Sequence, residues 1–295
     1  MGNAAAHPEA DGESKPTLYV VATPIGNLRD VSLRALDILK SVDAVAAEDT
    51  RVTARLLNHY GIAKKMIALH EHNEKRVVPQ VLALLAAGRS AALVSDAGTP
   101  AISDPGAQLV AAAIDAGFRV VPVPGANAAV TALSAAGLAA PHFLFYGFLP
   151  ARAAERKREL AALRGLPYAL VFYEAPHRVA DCIADLHAVF GDARRIVIAR
   201  ELTKMFETIH ACPLAEAATW IGGNADRRKG EFVLILEGQP VSRSGEDEAR
   251  EQQVLEVLLA ELPLKQAVAL ATKITGGKRN ELYDLALKLK GDSDQ

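Results

Sequence analysis

From residue 18 onward, short apolar runs alternate with longer stretches of helical periodicity. The runs lie at 18–22, 44–47, 66–69, 91–95 and 119–123, and amphipathic stretches such as 32–42 and 77–87 separate them. Runs that are apolar on both faces and joined by helix-length segments predict parallel strands covered by helices. An alanine-rich helix over 126–136 stops at Gly137, with Pro141 soon after, which predicts the end of a first α/β lobe there. A second series of runs follows at 143–148, 169–173, 196–200, 208–211 and 231–237. It holds more aromatics and allows a hairpin near 204–208, so its sheet is expected to be mixed.

Residues 238–247 (GQPVSRSGED) read as a polar linker, and three helical pieces follow at 248–261, 264–275 and 280–290. Pro263 separates the first two and Gly276-Gly277 the last two. The expected organisation is a disordered leader over 1–16, α/β lobes over 17–138 and 139–238, a linker over 239–247, and a helix-turn-helix-like domain over 248–291. No repeat of fixed period is visible.

Composition narrows the function classes. Half the residues are hydrophobic and 23% are charged, which suits a globular protein with a large core. A formal charge of −2 supplies no global field for nucleic acid, so such contact must come from local patches. The two cysteines, Cys182 and Cys212, lack metal-ligand spacing, so neither a zinc site nor a disulfide framework is expected, in keeping with a reducing cytoplasm. No apolar run is long enough for a membrane span, and the first 16 residues lack the apolar segment of a signal peptide.

Ligands of a parallel α/β sheet collect at the carboxyl ends of its strands. Three loops rich in glycine and proline follow strands there: Thr23-Pro24-Ile25-Gly26-Asn27, Asp96-Ala97-Gly98-Thr99-Pro100 running on to Ser103-Asp104-Pro105-Gly106, and Pro124-Gly125-Ala126-Asn127. Each alone reads equally well as a tight turn. Together at one sheet edge they suit a ligand read mainly by the main chain. Neither a dinucleotide fingerprint nor a phosphate-loop lysine is present.

The segments TPIGNLRDVSLRALDIL, AAEDTR, LHEHNE, ALVSDAGTPAISDPG, VPVPGANAAVTALSAAGL and ARELTKMFETIH resemble the ribosomal RNA small subunit methyltransferase I family. That family belongs to the tetrapyrrole-methylase-like enzymes dependent on S-adenosylmethionine (SAM). The resemblance runs from about Leu18 to Glu237, and the C-terminal helices resemble the family's helix-turn-helix appendage. It implies two α/β lobes with SAM in the cleft between them, no metal, and a homodimer acting on 16S rRNA of the small ribosomal subunit. The implied reaction is methylation of a cytidine ribose 2′-hydroxyl, by resemblance cytidine 1402.

The resemblance also implies cofactor-binding positions at Pro24, Gly26, Asp96, Gly98, Thr99, Pro100, Pro124 and Gly125. Gly98-Thr99-Pro100 departs from the Gly-Asp-Pro turn of tetrapyrrole methylases, which puts the role of Thr99 in doubt. Glu201, Thr203 and Glu207 match an E-x-T-x-x-x-E signature whose other reading is a salt-bridge network. A ribose hydroxyl is a very weak acid, so a general base helps its methylation. Glu48, Asp49, His70 and Glu174 are the candidates, with helix capping or plain exposure as the competing readings.

Two basic patches could meet RNA. Residues 151–165 hold Arg152, Arg156, Lys157, Arg158 and Arg164 against two glutamates, and residues 264–290 hold Lys265, Lys273, Lys278, Arg279, Lys288 and Lys290 against Glu281 and Asp284. Solvated amphipathic faces are the alternative. Two other functions remain open: methylation of a tetrapyrrole precursor, and ligand-sensing DNA regulation.

Overall fold

The computed structural model describes residues 15–138, 141–239 and 245–293. Residues 1–14 of the leader expected over 1–16 and most of the linker, 240–244, lie outside the described residues. The first lobe runs β1 (Thr17–Val21), α1 (Leu33–Ser41), β2 (Ala44–Ala47), α2 (Thr50–His59), β3 (Lys65–Ala68), α3 (Glu74–Ala86), β4 (Ala91–Val94), α4 (Ala107–Asp115), β5 (Arg119–Val123) and α5 (Ala128–Ala135). Its five strands are all parallel, in the order β3-β2-β4-β1-β5. Every residue of β2 and β4 is buried, because helices cover both faces of the sheet. Local chemistry starts the helices: Ser32 Oγ accepts from Ala35 N at 3.1 Å, and Asn127 Oδ1 accepts from Val130 N at 3.2 Å.

The second lobe runs β6 (Phe143–Phe148), α6 (Ala153–Leu163), β7 (Ala169–Glu174), α7 (Val179–Phe190), β8 (Arg195–Arg200), β9 (Thr208–Pro213), α8 (Leu214–Gly222) and β10 (Phe232–Leu236). Its sheet, ordered β6-β7-β10-β8-β9, is mixed as expected: β6 and β7 are parallel and the other pairs antiparallel. One face packs against α6, α7 and α8 around Phe172, Ile183 and Leu214. The other is covered by α5, whose Ala129 and Ala132 meet Val171, Val197 and Ile235. The alanine-rich helix therefore belongs to the core beneath the second sheet. Small side chains let it lie close, and the apolar area it shares with that sheet fuses the two lobes.

The described residues through Gly238 form one compact unit, and those from Gln239 form a second. The second unit contains α9 (Gly245–Glu261), α10 (Leu264–Thr275) and α11 (Arg279–Ser293), packed around Leu255, Val268, Ala271, Leu282 and Ala286. Helix α9 begins at Gly245, three residues before the expected start. A polar stretch does not oppose helix once apolar positions downstream are docked. Gly276, in the left-handed region at φ 74°, ends α10. No helix among the described residues is long and apolar enough to cross a membrane.

Candidate active site

The loops after β1, β2 and β4 are stitched together by backbone N–H groups that donate to carbonyl and carboxylate oxygens. Thr23 N donates to Gly98 O at 2.8 Å, and Gly98 N donates to Thr23 O at 3.0 Å. On the other side Asp49 N donates to Asp96 Oδ1 at 2.9 Å, and Asp96 N donates to Glu48 Oε2 at 3.4 Å. Strand β4 lies between β1 and β2, so its loop can bond to both neighbours. Gly98 adopts φ 84°, which glycine permits without strain.

Between the lobes lies a cleft of about 330 Å³, within the size range of small-molecule sites. The first lobe contributes Ile25, Ala97, Gly98, Thr99, Ile102, Ser103, Asp104, Asn127 and Ala128. The second contributes Phe148, Tyr173, Glu174, Ala175, Pro176, Leu202, Glu231, Phe232 and Val233. Hydrogen bonds fix its corners. Thr99 Oγ1 donates to Ala126 O at 3.1 Å, and Tyr173 Oη accepts from Ala129 N at 3.2 Å across the lobe boundary.

The E-x-T-x-x-x-E signature forms the lock that presents Leu202 to this cleft. Glu201 and Thr203 both hold positive φ, 52° and 66°, a conformation that side-chain-bearing residues adopt only under constraint. Glu207 Oε2 accepts from Thr203 N at 2.6 Å, Thr203 Oγ1 accepts from Asn27 N at 3.1 Å, and Lys204 Nζ bridges Glu201 and Glu231 at 2.9 Å each. Burial pushes the Glu201 carboxyl upward, but the Lys204 ammonium and the Glu231 amide outweigh it and hold it below the usual range. Of the two residues expected to bind cofactor, Glu201 also accepts from Glu231 N through Oε1 at 3.0 Å, and Thr203 ties the loop to Asn27.

Other expected cofactor positions divide. Gly98 and Thr99 line the cleft, whereas Pro24 and Asp96 line a separate slot of about 170 Å³ beside Leu28, Thr53 and Arg55. Gly26 faces the second lobe: a Cβ there would sit 2.6 Å from Lys204 Cγ and 2.9 Å from Thr203 Oγ1. Its side-chain-free surface faces the seam between the lobes. Gly125 makes room within the first lobe: a Cβ there would lie 2.8 Å from Ala22 Cβ. Pro100 is buried and Pro124 exposed, and neither lines the cleft.

The four base candidates are scattered. His70 is exposed, its backbone N–H bound to Asn73 Oδ1 at 2.9 Å, and it lies outside the cleft. Asp49 caps α2 and pairs with Arg51, which holds its carboxyl down at about 2. That leaves it a weak base. Glu48 is pushed above its ordinary range by burial but does not line the cleft. Glu174 lines it, yet Oε1 accepts from Ala175 N at 2.8 Å and pairs with Arg178 Nε at 3.2 Å.

Sequence reading passed over Asp104, which lines the cleft and whose carboxyl burial pushes above its ordinary range. It also passed over Glu74, whose buried Oε1 accepts from Gly106 N, Gln108 N and Leu109 N at 3.0–3.3 Å. The available signal was the acidic residue inside two of the quoted motifs, LHEHNE and SDPG. Among the basic candidates, Arg156 is corrected outright. It is 3% exposed, its Nε donates to Asp185 Oδ2 at 2.7 Å, and Nη1 donates to Ala151 O at 3.1 Å. Lys157 pairs with Asp185 at 3.2 Å and Arg152 with Glu155 at 3.4 Å. Lys265, Lys273, Lys278 and Arg279 are exposed on the second unit.

Comparison with known proteins identifies the relatives of this architecture. The tetrapyrrole (corrin/porphyrin) methylase model matches residues 17–218, and the RsmI C-terminal HTH domain model matches residues 245–290. Ribosomal RNA small subunit methyltransferase I of Escherichia coli O157:H7 is 51% identical over 286 residues, covering 97% of this chain and 99% of that protein. The chain belongs to the ribosomal RNA small subunit methyltransferase I family. Its Pseudomonas aeruginosa relative of the same name is 51% identical over 95% of this chain and the whole of that protein. The methyltransferase I fold of the two lobes extends to more distant structures. Uroporphyrin-III C-methyltransferase from Thermus thermophilus, solved with S-adenyl homocysteine, matches with a TM-score of 0.53 at 18% identity, over 75% of this chain and 97% of that one. Cobalt precorrin-4 methyltransferase matches with a TM-score of 0.56 at 16% identity, over 77% and 97%.

Proposed function

We propose that this chain transfers the methyl group of SAM to ribosomal RNA of the small subunit, at the 2′-hydroxyl of a cytidine ribose. The observation that carries the reading is the inter-lobe cleft, where glycine-bearing loops at the carboxyl ends of parallel strands meet the locked loop around Leu202. Full-length similarity to proteins named for methylating ribosomal RNA supports the substrate class. Resemblance to the family supports the cytidine ribose, a homodimeric state and a cytoplasmic location.

The cleft fits SAM in chemistry as well as size. Gly98 and Thr99 offer backbone at close approach, while Ile25, Leu202 and Val233 offer apolar contact. SAM, when bound, supplies a methyl group already activated by its sulfonium leaving group. The protein's own task is then to orient the acceptor, exclude water and accept a proton. Lys265, Lys273, Lys278 and Arg279 on the C-terminal unit supply the charge for phosphate contact.

The deciding experiment is transfer of labelled methyl from SAM to small ribosomal subunits, tetrapyrrole precursors and DNA in parallel. The expected product is 2′-O-methylcytidine after nuclease digestion of the subunit RNA. Label confined to a tetrapyrrole or to DNA would overturn the reading, and sedimentation of the purified protein tests the homodimer.

A further inference from the structure

Within the cleft, four ionisable side chains are present among the described residues: Asp104, Tyr173, Glu174 and Glu231. Three are already engaged. Tyr173 Oη accepts from Ala129 N, and burial pushes its phenol upward, so it stays protonated. Glu174 is paired with Arg178, and Glu231 with Lys204 at 2.9 Å. Asp104 has no cationic partner among the described residues.

The chain on either side of Asp104 is held under constraint. Three residues earlier, Ala101 adopts φ 64°, a strained conformation for a side-chain-bearing residue. Two residues later, Gly106 adopts φ 125°, and a Cβ there would lie 2.7 Å from Leu93 Cδ2. The buried Glu74 carboxylate then clamps the backbone N–H groups that open α4. A fixed, strained segment that carries a carboxylate without a cationic partner into a cleft is the arrangement expected of a reacting group.

We propose that Asp104 is the general base of the reaction, its carboxylate receiving the proton of the acceptor hydroxyl. This rests on the ribose-methylation reading above. The new O–CH3 bond forms as the CH3–S⁺ bond breaks, the donor leaves as a neutral sulfide, and the hydroxyl proton passes to a carboxylate oxygen of Asp104 and then to water. The surroundings favour the role. Burial comes first and the Asp96 carboxylate adds to it in raising the proton affinity of Asp104, while a hydrogen bond from Ser95 opposes them. Glu48 is a further negative neighbour, and Tyr173, Glu174 and Glu231 face the same cleft. A base whose proton affinity lies nearer neutrality transfers a proton more effectively than an ordinary aspartate.

The test compares wild type, Asp104→Asn and Asp104→Glu in single-turnover methylation of small subunits across pH. SAM affinity by calorimetry and carboxyl titration of ¹³C-aspartate-labelled protein by NMR accompany it. The expected loss for Asp104→Asn is about 100-fold or more in rate, with SAM affinity essentially unchanged and the acid limb of the pH profile gone. Asp104→Glu should regain part of the rate. In the absence of substrate, the Asp104 and Asp96 carboxyls should both titrate above the ordinary range, and only the Asp104 signal should vanish in Asp104→Asn. A rate and acid limb like wild type's in Asp104→Asn would sink the base role alone. A loss of SAM affinity matching the loss of rate would sink it too, because Asp104 would then hold the donor. Wild-type reactions without any 2′-O-methyl nucleoside would sink the ribose reading and the base role with it.

Discussion

The carboxylate of Glu74 and the backbone N–H of Gly106 meet at 3.1 Å across 32 residues of sequence, so that α3 caps the start of α4. The same oxygen accepts from Gln108 N and Leu109 N, and a buried acceptor serving three donors is costly to remove. Glu74→Ala should lower stability by about 2 kcal/mol or more and speed amide exchange at Gly106, Gln108 and Leu109. Hydrogen exchange read by NMR checks this, and unchanged protection at all three would refute it.

Gly26→Val should weaken SAM binding by opening the seam between the lobes. The added carbons would meet Lys204 Cγ and Thr203 Oγ1, not a ligand. Pairing it with Lys204→Ser should therefore recover part of the lost affinity. Calorimetry on both variants decides, and a double variant no better than the single one would return Gly26 to the ligand site.

Arg156→Ala should behave as a core defect. Breaking a buried ion pair by removing one partner costs about 3–5 kcal/mol, and Asp185 would be left with only Lys157. The variant should melt earlier with an unaltered salt dependence of RNA binding. A normal melting temperature with a shallower salt slope would reverse this assignment.

Asp104→Asn should be more stable than wild type near pH 7. The Asp104 pKa is raised in the folded protein, so the folded state binds more protons than the unfolded chain between the two values. Stability therefore falls as pH rises through that window, and the asparagine escapes the loss. The gap between the melting temperatures should close as pH falls below the ordinary aspartate range. Superimposable melting curves at every pH would contradict the raised pKa.

Reversing Lys278 and Arg279 to glutamate should raise the KM for ribosomal subunits and flatten its salt dependence, leaving SAM affinity intact. Both side chains are exposed at the turn between α10 and α11, although Lys278 also pairs with Glu281 at 3.3 Å. Each lost phosphate contact removes about 0.7–0.9 from the logarithmic salt slope. Deleting residues 239–295 should produce the same changes more strongly. Unchanged KM and slope in both would leave the C-terminal unit a packing role.

Hydrophobic periodicity determined most of the architecture without help from tertiary structure. The runs at 44–47, 119–123 and 143–148 coincide with β2, β5 and β6, and the 264–275 helix coincides with α10. Strand and helix register depend on residues within a few positions of one another, and burial on both faces leaves its mark in each strand separately. Polar side chains carry no such local mark. In the sequence Arg156 sits in a charged helix and looks solvated; only the approach of α7 brings Asp185 to it and takes both from water. Glu201 and Thr203 read equally as ligand contacts or a salt-bridge network, and only the closed hairpin brings their atoms to Glu231, Lys204, Glu207 and Asn27. Asp104 looked like a turn residue until the second sheet supplied Tyr173 and Glu174 as the opposite wall. Whether a carboxylate or guanidinium is paired, buried or facing a cleft depends on partners tens of residues away. The packing of the two lobes decides that, because it sets which charges lose their water together.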